Sequence, residues 1–337
     1  MDRRSLLALL AGAGAIAGVA RAATTRAPVQ PPPPLKVMPD AWPRAERLDL
    51  WPQGAPGVND FKAVATPADF PPVFLHNTRS PTLHVFRPDR PNGTAVLAAP
   101  GGGYEFVSIA NEGVDLAARL NPLGYTVFVL NYRLPAEGWR DRADVPLQDA
   151  QRATRLIKSR ARDFRVDPEK IVTIGFSAGG HVTASLATTA KAAYEPVDAW
   201  DQADPHPAAV ALIYPVITMT LPYTHAGSRR FLLGDSPSEA LVDLRSAERH
   251  VDAQTPPLFL VHACDDPAVP VENSLMMFEA ARRAKIPVEA HFPQEGGHAF
   301  GVGAPGTPAS QWPTLLDLWL SRLLGNPASA GTDLHPN

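Results

Sequence analysis

The chain has 337 residues, 45 % apolar and 19 % charged, with a formal charge of −3 at neutral pH. That length buries a sizeable core in one large domain or two smaller ones, and the small net charge supplies no electrostatic footprint for nucleic acid. The 37 prolines follow no Gly-X-Y period, which excludes a collagen-like chain and points to many fixed turns.

At the N-terminus Arg3 and Arg4 precede an apolar run from Leu6 to Ala20, and Ala20-Arg21-Ala22 offers a small-x-small cleavage site. Residues 1–22 are therefore expected to be an export signal, removed after Ala22. The run is shorter than the ~20 residues that span a bilayer, so no stable membrane insertion is expected after cleavage. Paired arginines followed by Ser5-Leu6-Leu7 resemble the bacterial twin-arginine signal. The expected location is periplasmic or secreted, with the general secretory route as the alternative path. Gly12, Gly14 and Gly18 imitate a dinucleotide-binding pattern, but no strand–helix unit follows them.

Residues 23–44, with Pro31 to Pro34 consecutive, read as an extended proline-rich linker. A domain over 45–326 follows, and 327–337 reads as a flexible tail. Within the domain, β-branched and aromatic runs alternate with amphipathic stretches. This is the pattern of an α/β protein with a mostly parallel central sheet and helices on both faces. Strands are expected at Thr82 to Phe86, Ala95 to Ala99, Thr126 to Leu130, Ile171 to Ile174, Ala208 to Tyr214, Leu258 to Val261 and Val288 to Phe292. A helix capped by Asn111 is expected to run to Leu120, with Gly124 as a stop signal. Leu147, Ala150, Ala153, Ile157 and Ala161 repeat at helical spacing, and Leu315 to Leu324 closes the domain. Short helices above the sheet are expected within 218–254, while 194–207 stays unassigned. Cys264, the lone cysteine, has no disulfide partner and reads as a buried thiol at a strand end.

The sharpest chemical signal is Gly175-Phe176-Ser177-Ala178-Gly179, between the strand Ile171 to Ile174 and a helical run through Ala187. A tight strand–turn–helix tolerates little side chain at its flanks and holds the Ser177 oxygen clear of the sheet, near the positive end of the helix. The other reading is a glycine-rich turn with a surface serine. An alcohol is a weak nucleophile and needs a base, and His298 in Gly296-Gly297-His298 follows the last strand, where glycines let a loop return over the sheet edge. His84 and His181 fall before or beside the elbow, His262 and His291 are placed with strands, and His335 sits in the tail. The acid that orients His298 is Asp265 or Asp266; the stiff turn Asp266-Pro267-Ala268-Val269-Pro270 favours Asp266. Backbone donors for an oxyanion are expected from Gly102 and Gly103, in the bend after Ala99, and from Ala178. The glycines lack the Lys-Ser/Thr of a phosphate-binding loop. Neither a His-Glu-x-x-His pair nor paired cysteines occur, so no metal and no cofactor is expected.

With Pro100-Gly101-Gly102-Gly103-Tyr104, Glu112-Gly113, Asn131-Tyr132-Arg133-Leu134, Asp149-Ala150-Gln151-Arg152-Ala153, Gly175 to His181, Gly227-Ser228-Arg229 and Asp265-Asp266, the chain resembles the acetylxylan esterase-like branch of the α/β-hydrolase superfamily. The likeness covers nearly the whole domain, from Leu50-Trp51-Pro52 to His298. It implies the α/β-hydrolase fold, Asp266 as the acid of the triad, and hydrolysis of small acyl esters, often acetyl groups on plant-wall polysaccharide. Where that branch often has Gly-His-Gly-Phe, this chain has Gly297-His298-Ala299-Phe300, an added methyl.

Tyr104 is expected to line the acyl pocket. Glu112 is expected either to serve a helix end or ion pair, or to touch substrate. Trp139 and Trp200 are read as core packing, with sugar stacking as the alternative. The expected partner is a small-molecule or polysaccharide ester, and the oligomeric state is not legible. The competing readings are a general esterase, lipase or peptidase of the same fold, and a non-catalytic binding protein on this scaffold.

Overall fold

In the computed structural model, residues 37–189 and 191–325 are described. The expected signal 1–22, the linker as far as residue 36, and the tail 327–337 lie outside the described residues.

Ten strands form: β1 (Glu46–Asp49), β2 (Phe74–Leu75), β3 (Thr82–Phe86), β4 (Ala95–Ala99), β5 (Val107–Ser108), β6 (Thr126–Asn131), β7 (Ile171–Phe176), β8 (Ala209–Ile213), β9 (Leu258–Val261) and β10 (Val288–His291). Eight of them make one sheet in the order β1-β3-β6-β4-β7-β8-β9-β10, and β2 pairs with β5 in a small separate ribbon. Only β3 runs against its neighbours; every other pairing in the large sheet is parallel. The central strands β4, β6, β7 and β8 are almost entirely buried, as their predominantly apolar sequences require.

Successive residues of a strand point to opposite faces, and the end of β7 shows what covers each. A Cβ on Gly175 would meet Thr183 Oγ1 of the helix Ser177–Thr188 at 2.1 Å. The next residue, Phe176, instead packs edge-on against Trp312 of the helix Trp312–Leu323, with ring centroids 6.1 Å apart. Helices therefore cover both faces. The crossover helix runs Val145–Ser159 and a separate turn follows at Ala161–Phe164. Residues 218–254 hold the short helices Ala226–Leu233 and Glu239–Leu244.

Three expectations need correction. Residues 41–44, placed in the extended linker, form a helical turn whose Trp42 is buried and stacks on His84 at 3.7 Å. The packed domain thus begins before Ala45, because an indole this close to an imidazole face removes its apolar area from water. Asn111 does not cap a helix. It lies inside a widened turn, Ala110–Val114, which leads directly into the helix Asp115–Leu120. Cys264 is exposed rather than buried, since β9 ends at Val261 and the chain has already left the sheet. Trp139 and Trp200 keep the expected packing role: they lie under the guanidinium groups of Arg133 and Arg152, at 5.0 and 4.6 Å, and neither lines the cavity described below.

The motifs around Arg133 and Asp149 are structural. Arg133 is wholly buried and donates to both Asp149 oxygens through Nε at 3.0 Å, while Trp51 Nε1 donates to the same carboxylate at 2.8 Å. Arg152 donates to Leu50 O at 2.9 Å. Together they fasten the segment around Trp51 to the crossover helix. A buried charge needs such paired satisfaction.

Candidate active site

Four strand ends meet at the C-terminal edge of the sheet, where open parallel sheets place their ligands. The glycine loop leaves β4, Ser177 follows β7, Asp266 follows β9, and His298 follows β10. Ser177 adopts φ +50°, a left-handed conformation that costs a non-glycine residue on the order of 1–3 kcal/mol. Its neighbours explain how that conformation is held. A Cβ on Gly179 would lie 2.0 Å from Ala99 O, and one on Gly101 would lie 2.8 Å from the Ser177 Cβ, so only glycine permits the approach of loop and elbow.

Ser177 Oγ stands 2.9 Å from His298 Nε2, and His298 Nδ1 stands 2.7 Å from Asp266 Oδ2. Asp266 Oδ1 also accepts from the N–H groups of Ala268 and Val269, both at 2.9 Å. Burial on its own would raise this carboxyl. Hydrogen bonds from His262 and His298, with the charge His298 can carry, outweigh burial and hold it well below the usual carboxylate range. His262, 3.2 Å from Asp266 Oδ2 and completely buried, is a neighbour that the sequence reading did not single out. Asp265 faces away from the imidazole. Its Oδ1 accepts from Gly296 N at 2.9 Å and Gly297 N at 2.8 Å, which fixes the loop that carries His298.

Gly102, Gly103 and Tyr104 have φ values of +128°, +64° and +66°. The turn is closed by Glu105 and Phe106 N–H on Gly102 O, a pattern in which Gly102 and Gly103 N–H take no part. Both glycines line the same cavity as Ser177. Ala178, wholly buried, is the second residue of the helix that Ser177 begins. The three left-handed residues turn Tyr104 inward, which overturns its expected place in the acyl pocket. Its ring is 1 % exposed and its hydroxyl donates to His181 Nδ1 at 2.7 Å.

Glu112 serves neither a helix end nor an ion pair. Its Oε2 accepts from Gly101 N at 2.6 Å, and its Oε1 accepts from Tyr214 OH at 2.8 Å. The same Tyr214 oxygen accepts from Gly301 N at 3.0 Å. This chain of bonds ties the glycine loop to the His298 loop. Burial pushes the Glu112 carboxyl up, partly offset by these two donors. Ala299, where the related pattern has glycine, sits at φ +58°, so the substitution adds backbone strain as well as a methyl.

The cavity has a volume of about 470 Å³. Val73, Phe74, Phe106 and Ala110 give it carbon walls, and the Phe74 and Phe106 rings stack at 4.0 Å. His225, a second residue that the sequence reading did not raise, stands on its wall. Burial, and then the neighbouring His298, lowers the basicity of His225, opposed by Asp266. Such a site brings a serine hydroxyl, an imidazole and a carbon-walled recess together in one cavity.

The class that this fold defines is the α/β-hydrolases. The BD-FAE family model matches residues 84–280, and the chain belongs to that family. It is 37 % identical over 207 residues to endo-1,4-beta-xylanase B of Butyrivibrio fibrisolvens, covering 61 % of this chain and 32 % of that one. It is 32 % identical over 222 residues to an acetylxylan esterase of Xylanibacter ruminicola, covering 65 % and 43 %. The chain thus spans less than half the length of these two curated relatives. A solved acetyl ester-xyloside bifunctional hydrolase from Caldicellulosiruptor lactoaceticus superposes with a TM-score of 0.70 at 30 % identity, covering 83 % of this chain and 97 % of that one. The resemblance to the acetylxylan esterase-like branch therefore holds. Among the described residues no helix is long and apolar enough to cross a membrane.

Proposed function

We propose that the protein is a serine carboxylic ester hydrolase that removes short acyl groups, acetyl above all, from carbohydrate such as acetylated xylan. The observation that carries the reading is the relay from Ser177 Oγ through His298 to Asp266 at the wall of a carbon-lined cavity. The names of the xylanase, the acetylxylan esterase and the bifunctional hydrolase support the choice of substrate.

In this mechanism His298 Nε2 takes the hydroxyl proton as Ser177 Oγ attacks the ester carbonyl carbon. The resulting oxyanion is met by the N–H groups of Ala178, Gly102 and Gly103, fixed backbone donors of the kind that stabilise such a developing charge. His298 returns the proton to the departing alcohol oxygen as the C–O bond breaks, leaving an acyl group on Ser177. A water then repeats the sequence, releasing the carboxylic acid and restoring the serine. Asp266 stays ionised throughout and stabilises the imidazolium that forms twice per turnover.

The test is kcat/KM on p-nitrophenyl acetate, butyrate and octanoate, with acetate release from acetylated xylan. Acetate is expected to exceed butyrate, each methylene being worth about 1–3 kcal/mol of discrimination. Octanoate is expected to be nearly inert, with the stacked Phe74 and Phe106 rings standing in the wall of the recess. Preference for octanoate with no acetate from xylan would replace this reading by a general esterase.

Export through the twin-arginine route is part of the proposal and rests on Arg3-Arg4 and the apolar run after them. Changing both arginines to lysine is expected to retain the precursor in the cytoplasm. Normal export of that variant would assign the general secretory pathway instead.

A further inference from the structure

The motif Gly227-Ser228-Arg229 opens the helix Ala226–Leu233, and the residue that caps this helix is His225. Ser228 N donates to His225 Nδ1 at 3.1 Å, and Ser228 Oγ lies 2.8 Å from the same nitrogen. A backbone N–H can only donate, so Nδ1 is an acceptor and carries no proton. The neutral ring must then hold its proton on Nε2. No described residue accepts from that Nε2–H, although the ring lines the cavity with Ser177, His298 and Gly103. A Cβ on Gly103 would lie 3.8 Å from His225 Cε1, which puts the ring beside the glycine loop. The helix cap therefore fixes a tautomer, and the fixed tautomer offers one unclaimed donor to whatever fills the cavity.

We propose that His225 is a substrate-contacting, specificity-determining residue whose Nε2–H donates to an oxygen on the alcohol portion of the ester, a hydroxyl next to the scissile bond. The inference rests on Ser177 being the nucleophile. Two other places for the donor are already served. The carbonyl oxygen has the backbone donors of Ala178, Gly102 and Gly103, and the acyl recess is walled by carbon. The departing oxygen must lie by His298 Nε2, whose field reaches His225. A polyol leaving group would place a neighbouring hydroxyl there, whereas a plain alkyl alcohol would leave the donor dry and unpaired.

The experiment compares kcat/KM for a monoacetylated methyl β-xyloside with that for cyclohexyl acetate, two poor leaving groups of similar ring size. His225→Asn is the informative variant. Asparagine is among the best helix caps and keeps an acceptor for Ser228 N, but it has no group at the Nε2 position. The xyloside-to-cyclohexyl ratio is expected to fall roughly tenfold, the worth of one neutral hydrogen bond, and the loss should lie mainly in KM for the xyloside. The thermal midpoint should stay near that of the wild type. An asparagine variant with the wild-type ratio overturns the role of His225 and leaves the serine esterase reading standing. A wild-type protein inert to both esters, with Ser177 unlabelled by a sulfonyl fluoride, overturns both.

Discussion

Ser177→Ala is expected to lower kcat on p-nitrophenyl acetate by about 10⁵- to 10⁶-fold, the loss typical when the nucleophile of a triad is removed. The change deletes one oxygen, whose hydrogen-bond partner in the structure is His298 Nε2. The backbone is not asked to move, since alanine keeps the Cβ that already fits against Gly101. Fold and cavity should survive, and the thermal midpoint should stay close to that of the parent. What activity remains is that of the backbone donors and of binding alone, about 10³- to 10⁴-fold over water in enzymes of this kind. A sulfonyl fluoride should label the parent at Ser177 and leave the variant untouched. A variant that retains a tenth of the parental turnover would remove Ser177 from the mechanism.

The three residues of this relay are 32 to 121 positions apart, yet Ser177 and Asp266 were readable because each follows a strand that announces itself, and His298 because two glycines precede it. β4, β8 and β9 are buried on both faces and so are written as unbroken apolar runs, and β7 departs from one only at Thr173 and Gly175. β1 escaped notice for the opposite reason. Its Glu46-Arg47-Leu48-Asp49 sequence belongs to a mostly exposed edge strand with no apolar run to read. Tyr104 was misplaced because its side-chain direction depends on three successive left-handed residues, and only two of them are glycines. The role of Glu112 depends on Tyr214, 102 positions away, whose contact exists only once the sheet has closed. His225 and His262 carry no local motif of their own. The signal for His225 was its place two residues before Gly227-Ser228, and that signal is legible only when the helix it caps is known.

Asp266→Asn is expected to lower kcat by about 10⁴-fold, while Asp265→Asn should cost less than about tenfold, although the two residues are adjacent. The hydrogen-bond partners decide the difference. At position 266, Oδ1 accepts from two backbone N–H groups, so an asparagine must keep its carbonyl oxygen there. Its amide NH₂ is then forced into the place of Oδ2, facing His298 Nδ1. Two N–H groups cannot share that contact, so the imidazole must accept at Nδ1 and carry its proton on Nε2. That tautomer has no lone pair for the serine proton. The same NH₂ also meets His262 Nε2, which already donates to Val269 O, so some loss of stability should accompany the loss of rate. At position 265 the carboxylate only accepts, from Gly296 N and Gly297 N through a single oxygen. An asparagine oxygen does the same, so the His298 loop keeps its course. The measurement is kcat for both variants on one acetyl ester, with thermal unfolding to separate rate from stability. Small and equal effects from the two substitutions would mean that neither carboxylate sets the tautomer of His298, and that the acid lies elsewhere.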